Sequence, residues 1–298
     1  MPLRYDTISF LSDYGHHDEF VGVVHSVIRQ LSPGAHVIDV THEVPAHDVR
    51  AGGLTLARAV QYLAPGVVIA VVDPGVGSSR RPVAVEVGDG ASVLVGPDNG
   101  LLAPAVAMVG GATRAVWLND TEHHLEAPGP LFDGRDVFAP VAARLCEGVP
   151  LEELGELIEP AGLMPGIFPI SDVEDGVLSA EVLWIDRYGN AQLNVDPGEL
   201  DDLGEVFELR VGDTVRSARR AQHFSEVGAG AIGLVVDSYG FIAVVCDRSS
   251  AAEELSLDAG DHLTLVPLDG DGDGAAVGAG VTTAVQLGVS PRGQGRNS

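Results

Sequence analysis

The sequence predicts two domains, an α/β domain with a largely parallel sheet followed by a small antiparallel β domain that forms a barrel or a sandwich. Residues 8–72 alternate short apolar strands with amphipathic helices, which is typical of βαβ units in a parallel sheet. From residue 172 onward, short alternating strands are separated by turn residues at close intervals. The length of 298 residues also favours two domains over one.

The α/β domain is predicted to span residues 1–165. The run 67–72 has no polar alternation, so it is predicted to be a strand buried on both faces. Helical spacing is clearest where Phe20, Val24 and Ile28 recur on one face. The full set of predicted elements is strands at 8–12, 37–40 and 67–72, a hairpin of 83–87 and 92–95, and helices at 20–31, 48–63, from 101 onward and at 137–147.

The second domain is predicted at 172–267, after a Pro-, Gly- and Met-containing stretch at 163–171 that has no periodicity. Its predicted strands are 178–185, 191–195, 206–211, 232–236, 241–246 and 262–267. From 268 to 298 the chain is rich in Gly, Asp and Ala, and no pattern there can bury apolar surface. We therefore expect a disordered tail over those residues.

Composition narrows the class of function. A formal net charge of −26 without a basic stripe argues against nucleic-acid binding. No apolar run approaches the length of a membrane span, and no basic segment followed by an apolar one begins the chain, so no membrane partner and no secretion are expected. The two cysteines, Cys146 and Cys246, have no metal-ligand spacing, which favours reduced thiols in a cytoplasmic protein.

Carboxylates follow two of the predicted strands directly. Asp73 ends the buried run 67–72, and a turn containing Pro74 and two glycines leads from it to Arg80. Asp13 stands in the same kind of position after the first strand. Because open α/β sheets bind ligands outside the carboxyl ends of their strands, we expect a ligand crevice here.

Six motifs then occur in one order along the chain: Ser12-Asp13-Tyr14-Gly15, Asp39-Val40-Thr41-His42, Val72-Asp73-Pro74-Gly75-Val76-Gly77-Ser78-Ser79-Arg80-Arg81, Gly96-Pro97-Asp98-Asn99-Gly100-Leu101, Gly134-Arg135-Asp136-Val137-Phe138-Ala139-Pro140 and Ile185-Asp186-Arg187-Tyr188-Gly189-Asn190. Together they resemble the S-adenosyl-L-methionine (SAM) hydroxide adenosyltransferases, the SAM hydrolases, which are related to the fluorinase and the chlorinase. The resemblance covers residues 7 to 267.

The resemblance implies a β-barrel as the second domain and a homotrimer with SAM bound at the interface between subunits. It also implies displacement at ribose C5′ by water or hydroxide, which releases adenosine and methionine without a metal or a cofactor. Such a reaction needs in-line positioning, a dehydrated site and an activated water, because the sulfonium is already a good leaving group.

The resemblance assigns water handling to an Asp, an Arg and a His. The first two match Asp73 and Arg80, but Asp133 stands where the histidine belongs. Our hypothesis is that Arg80 orients the water and holds Asp73 ionised while Asp133 takes the histidine's role. A second possibility is that Asp73 and Asp133 accept the proton as a coupled pair of carboxylates on either side of Arg80. A third is that His123 or His124 folds in, although an acidic loop with two histidines is usually solvated.

The substrate-binding residues implied by the resemblance each have an ordinary structural alternative. Asp13 would accept the ribose hydroxyls, or it caps a turn or helix. Asp186 and Asn190 would contact the methionine amino and carboxylate groups, or they form an Asx turn. Ser238 and Tyr239 would lie near the methionine carboxylate or belong to a strand-end turn, and His47 and Phe132 would line the sugar and adenine or serve as ordinary packing.

The sequence leaves two rival functions open. A halogenase would share the fold and the ligand, but halogenating relatives replace the Asp-Pro-Gly-Val-Gly phrase with one that contains Tyr. A non-catalytic SAM- or adenosine-binding sensor is kept open by the missing histidine. A dinucleotide-dependent dehydrogenase is set aside, because no G-x-G-x-x-G follows the first strand.

Overall fold

A computed structural model describes residues 3–268. Its first domain contains one sheet, in the order β2-β1-β3-β5-β4-β6-β7. The strands are β1 (Thr7–Ser12), β2 (His36–Thr41), β3 (Val67–Val71), β4 (Pro82–Val87), β5 (Ser92–Pro97), β6 (Ala112–Trp117) and β7 (Glu156–Ile158). Strands β2, β1, β3 and β5 are parallel, and the remaining pairs are antiparallel. The predicted α/β domain is confirmed, with its parallel part confined to these four strands.

Helices cover both faces of this sheet. They are α1 (Phe20–Leu31), α2 (Val49–Val60), α3 (Ala103–Met108), a π-helix (Gly134–Phe138) and α4 (Ala139–Cys146). Helices α1 and α4 share one core cluster with alternate residues of β1 and β3, whereas α2 and α3 share the opposite one. Because helices cover both faces, every residue of β3 is buried, as its unbroken apolar run predicted.

In its first turn, α1 faces the core with a different residue from the one that the sequence predicted. Val21, Val24 and Ile28 are buried, whereas Phe20 is 36% exposed. The ring of Phe20 packs instead against Tyr14 and Phe132, which come from the loops at the end of the sheet. Its expected core role is therefore wrong, because the helix starts where these loops meet rather than over the sheet.

The second domain is a closed barrel, so the sandwich alternative is wrong. Its elements are β8 (Asp172–Glu174), β9 (Val177–Ile185), β10 (Ala191–Leu193), β11 (Val206–Val211), β12 (Thr214–Arg220), β13 (Ile232–Val236), β14 (Ile242–Val245), α5 (Ala251–Leu255) and β15 (His262–Pro267). Strands run in the order β10-β14-β13-β12-β11-β15-β9, and β9 pairs back with β10 to close the ring. Among the described residues, strand β8 pairs only with β9. One pair, β12 with β13, is parallel.

Several boundaries and elements differ from the sequence predictions. The sequence missed β6, β7, β8, β12 and α5, and the helix predicted at 137–147 begins three residues earlier as the π-helix. Residues 163–171 contain no helix or strand, and the domain limits placed there remain a prediction. Beyond Leu268, the predicted tail lies outside the described residues. Between residues 3 and 268, no helix combines the length and the apolar character that crossing a membrane requires.

The topology brings two strand ends together. From β1 the chain passes through α1 to β2 on one side, and from β2 it passes through α2 to β3 on the other side of β1. The connections therefore diverge between β1 and β3, which is the switch point where open α/β sheets bind ligands. Asp13 and Asp73 leave the sheet at this point, and the backbone N–H of Asp13 donates to the carbonyl of Val71 at 3.2 Å.

Candidate active site

Arg80 and Asp73 form a two-point ion pair at the end of β3. Arg80 Nε donates to Asp73 Oδ1 at 2.9 Å, and Arg80 Nη2 contacts Asp73 Oδ2. The exposed fractions are 10% for the Arg80 side chain and 5% for that of Asp73. Fork-like pairing of this kind fixes the orientation of both groups as well as their separation.

The turn between these two residues is built for that contact. Ser78 Oγ donates to the carbonyl of Gly75 at 2.6 Å, and the backbone N–H of Ser78 donates to the same carbonyl at 3.1 Å. Gly77 has φ +76°, and a Cβ there would lie 2.9 Å from Leu131. Glycine is therefore required for the chain to turn back and return Arg80 to Asp73.

Asp133 completes a three-residue cluster. Its Oδ2 lies 2.5 Å from Arg80 Nη2, so a single guanidinium nitrogen bridges two carboxylates. Burial acts to lower the pKa of Arg80, but hydrogen bonds and charge interactions with Asp73 and Asp133 raise it above its usual value. The structure thus brings together the three residues predicted as catalytic, with one cation between two anions.

Tyr14 is a site residue to which sequence reasoning gave no role. Burial raises the pKa of its hydroxyl well above the usual range, and the charges of Asp13, Asp73 and Asp133 raise it further. The hydroxyl therefore stays protonated and can donate a hydrogen bond among these carboxylates. The signal available in the sequence was its place directly after Asp13, within the first motif.

Phe132 forms an aromatic wall beside the cluster. Its ring meets those of Tyr14 and Phe20 edge-on, at centroid distances of 5.7 and 5.0 Å, and Arg135 lies over it at 5.0 Å. This half-buried ring therefore makes packing contacts, which is the structural alternative given for Phe132 above. Phe132 directly precedes Asp133 in the chain.

Asp13 and His47 are in direct contact. The backbone N–H of His47 donates to Asp13 Oδ2 at 2.9 Å, and His47 is exposed with φ +68°, in the left-handed region. A non-glycine residue in that region carries backbone strain, which is concentrated at functional sites in proteins. One oxygen of Asp13 holds this strained loop, and its Oδ1 makes no hydrogen bond within the described residues.

The second group of predicted residues lies in the barrel domain. Asp186 Oδ1 accepts from the backbone N–H groups of Tyr188 and Asn190 at 2.8 and 2.9 Å, and its Oδ2 accepts from Asn190 Nδ2 at 2.7 Å. This is the Asx turn expected as the structural alternative. The same contacts hold the Asn190 side chain in one orientation.

A cavity of about 380 Å³ collects this group, since Asp186, Asn190, Ser238 and Tyr239 all line it. Asp237 closes the turn beneath the last two, because its Oδ1 accepts from the backbone N–H of Tyr239 at 2.8 Å. All residues that line the cavity belong to the second domain.

Arg58 is a further residue near this cavity that sequence reasoning missed. It projects from α2 of the first domain and lies over the ring of Trp184 at 4.3 Å and that of Tyr239 at 6.0 Å. Burial lowers its pKa to about 10. With Trp184 and Tyr239 it lines a larger cleft of about 1110 Å³ between the two domains.

The predicted site residues therefore separate into two groups. Asp13, His47, Asp73, Arg80, Phe132 and Asp133 belong to the first domain, and Asp186, Asn190, Ser238 and Tyr239 to the second. Within residues 3–268, no hydrogen bond or ion pair joins one group to the other.

The sequence predicted a solvated loop around His124, and the structure differs from that prediction. It is half-buried, and its Nε2 is buried without a hydrogen-bond partner among the described residues. Burial lowers its pKa, and the charge of Asp133 acts in the opposite direction. A neutral imidazole therefore lies within electrostatic range of Asp133.

This architecture defines a two-domain protein with an α/β sheet, a β-barrel and a charged cluster at the sheet's switch point. The chain belongs to the SAM hydroxide adenosyltransferase family. The model of that family's N-terminal domain matches residues 8–155, and that of its C-terminal domain matches residues 180–264. The family resemblance predicted from the six motifs is confirmed.

Individual relatives agree with this assignment. A protein of Salinispora arenicola named (R)-S-adenosyl-L-methionine hydrolase is 44% identical over 256 residues, which covers 86% of this chain and 96% of the relative. A fluorinase of an Actinoplanes species is 25% identical over 288 residues, 87% of this chain and 96% of the relative. The crystal structure of an uncharacterized conserved protein from Thermotoga maritima superimposes with a TM-score of 0.81 at 32% identity, covering 87% of this chain and 99% of that one.

Proposed function

We propose that this chain hydrolyses SAM to adenosine and L-methionine by attack of water or hydroxide at ribose C5′. The observation that carries the proposal is the bridge of Arg80 between Asp73 and Asp133, at the switch point of a fold shared with relatives named SAM hydrolases. SAM is the substrate, and the proposal needs no cofactor.

The chemistry requires one bond to form and one to break. The water oxygen forms a bond to C5′, and the C5′–S bond breaks with its electron pair passing to sulfur, which leaves as the thioether of methionine. The water also loses one proton. Because the sulfonium is neutralised in this step, the protein needs chiefly to position and deprotonate the water.

The cluster supplies these roles in the proposal. Arg80 donates to Asp73 through two nitrogens, which holds that carboxylate as an oriented hydrogen-bond acceptor for the water. Asp133 shares Arg80 and takes up the proton in place of the family histidine. His124, half-buried and within electrostatic range of Asp133, is the alternative proton acceptor.

The same carboxylate disfavours the halogenase alternative. Two unit negative charges about 4 Å apart repel by about 4 kcal/mol at an effective dielectric constant of about 20. A halide next to buried Asp73 would experience that repulsion, whereas water would not. Arg80 does not relieve it fully, because it already faces two carboxylates.

Substrate binding is proposed to involve both groups of residues. Asp13 would accept a hydrogen bond from a ribose hydroxyl through Oδ1, the oxygen that does not bind the His47 N–H. The aromatic wall formed by Phe132 would cover the sugar and adenine. Asp186 and Asn190, with Ser238 and Tyr239, would hold the methionine end in the barrel cavity. No hydrogen bond joins the two groups within one chain, and the proposal includes the homotrimer implied by the family resemblance, with sites that lie between subunits.

A cytoplasmic location also stays a proposal. Its support is that both cysteines are free and buried, which fits a reducing compartment.

The test is product analysis. Purified protein is incubated separately with the (R) and (S) sulfonium epimers of SAM, with and without chloride, and products are separated by chromatography. Adenosine and methionine in equal amounts support the proposal. Formation of 5′-chloro-5′-deoxyadenosine identifies a halogenase, and tightly bound adenosine or SAM without turnover identifies a sensor.

A further inference from the structure

Two histidines and an aspartate meet at the exposed edge of the first domain. His25 comes from α1, while Asp39 and His42 come from β2 and the residue after it. Nε2 of His25 lies 2.8 Å from Asp39 Oδ1, and Nε2 of His42 lies 3.0 Å from the same oxygen. Each residue offers one possible ligand atom, and these three atoms all lie within 4.8 Å of one another.

The environment of His42 is unusual for a residue that only packs. Its side chain is fully buried, and its Nε2 lies 3.0 Å from Asp39 Oδ1 but makes no hydrogen bond of good geometry among the described residues. Its other nitrogen, Nδ1, is hydrogen-bonded to Ser12 Oγ at 2.7 Å. A buried nitrogen without a partner costs free energy unless something else bonds to it.

We propose that His25, Asp39 and His42 bind a divalent transition metal ion of the zinc type. Imidazole nitrogen and carboxylate oxygen are ligands that zinc accepts, at about 2.0–2.2 Å. Two such ligands of a tetrahedral ion lie about 3.4 Å apart, so each histidine nitrogen needs to move only about half an ångström away from Asp39 Oδ1. The two histidine nitrogens, which lie within 4.8 Å of each other, would approach the same separation. Three protein ligands leave a fourth position for water.

Ser12 supplies the supporting contact that metal-bound histidines need. When Nε2 binds a metal, Nδ1 carries the proton and donates it to a neighbouring acceptor, here Ser12 Oγ. The His25 and Asp39 side chains are 35% and 39% exposed, so an ion can enter from solvent. The site would fasten α1 and the end of β2 to the loop after β1, since the Gly15 N–H donates to the His42 carbonyl at 2.7 Å.

The metal site and the proposed hydrolysis use different residues, so each can fail without the other. The test uses the full chain without an affinity tag, stripped of metal by a chelator and titrated with Co²⁺. We expect one Co²⁺ per chain, visible ligand-field bands of a four-coordinate ion, displacement of the bands by Zn²⁺, and a higher melting temperature with Zn²⁺.

Variants locate the site. His25→Ala and Asp39→Asn, both at partly exposed positions, should abolish the bands, and Ser12→Ala should weaken binding by about tenfold to a hundredfold. His36→Ala removes an exposed histidine of the same strand and should change nothing. The proposal is overturned if the unaltered chain gives no bands, or if His25→Ala and Asp39→Asn bind Co²⁺ as tightly as His36→Ala does.

Discussion

Arg80 holds Asp73 through both Nε and Nη2, and the same Nη2 reaches Asp133. Replacing Asp73 with Asn keeps the shape of the side chain but removes the charge that orients the water. We expect Asp73→Asn to lower kcat by about 10²- to 10⁴-fold while SAM still binds. Single-turnover adenosine release and calorimetric titration of SAM measure the two effects separately.

A matched control is available on the same sheet. Glu86 is also a buried carboxylate paired with an arginine, through Arg114 Nη2 at 2.7 Å, but none of the predicted site residues contacts it. Glu86→Gln should lower the melting temperature and leave kcat unchanged. Unaltered turnover in Asp73→Asn would remove Asp73 from the reaction.

The role of Asp133 is tested by restoring histidine. If Asp133 occupies the position of the family histidine, Asp133→His should preserve or raise turnover, since imidazole can accept the water's proton. Activity should then increase with pH as the introduced histidine loses its proton, near its usual pKa of about 6.5. The pH–rate profile of the variant against the unaltered protein measures this.

His124 offers the competing proton acceptor, and its substitution separates the two possibilities. His124→Gln should leave kcat within a factor of about three if Asp133 accepts the proton, because His124 would then contact no reacting group. A large loss in His124→Gln together with little change in Asp133→Asn would assign the role to His124. An inactive Asp133→His would show that the loop is arranged differently from the family's.

The proposed trimer, with its sites shared between subunits, predicts complementation. Asp73→Asn and Asp186→Ala should each be inactive alone, since one alters the first-domain group and the other the second. Coexpression of the two with different tags, followed by two-step purification, yields mixed oligomers. In every mixed trimer one interface of three combines two unaltered halves, so about a third of the activity should return.

The measurement is adenosine release per site, with sedimentation velocity to establish the oligomer. The baseline activity comes from the two variants purified separately and then mixed under conditions in which their subunits do not exchange. Mixed oligomers that are as inactive as their parents would place the whole site within one subunit.

Local patterns explain which parts could be predicted. Asp73 and Arg80 are seven residues apart, and the Pro and Gly residues between them indicate a turn. The buried strand β3 followed directly from its unbroken apolar run. Asp133 contacts Arg80 from 53 residues away, so only the family's motif order could connect them.

Contacts made by tertiary packing could not be predicted in this way. Arg58 has ordinary helical spacing in α2, and its position over Trp184 depends on how the two domains meet. Strand β12 was not predicted because three arginines interrupt the apolar pattern of its sequence. It forms a strand because β11 and β13 pair with it on either side. The unpartnered nitrogen of His124 depends likewise on loop packing.

Gly134 and Tyr14 are coupled by close approach. A Cβ at Gly134 would lie 2.2 Å from the Tyr14 hydroxyl oxygen and 3.1 Å from the ring carbon Cζ. The Tyr14 ring cannot withdraw freely, because Phe10, Phe20 and Phe132 surround it. We therefore expect Gly134→Ala to cost about 1–3 kcal/mol of stability, as overpacking does, and to lower turnover by displacing the Tyr14 hydroxyl.

Removing that hydroxyl should relieve the clash. Tyr14→Phe combined with Gly134→Ala leaves a tight contact of about the Cζ distance, so the double variant should be more stable than Gly134→Ala alone. Urea unfolding of the four proteins gives the coupling energy, and Gly129→Ala, where a Cβ meets nothing within 4 Å, controls for the intrinsic effect of the substitution. Turnover should stay low in the double variant, because the hydroxyl donor is absent from the carboxylate cluster. Additive stabilities would mean that Tyr14 moves aside without cost and is not held against the helix that carries Asp133.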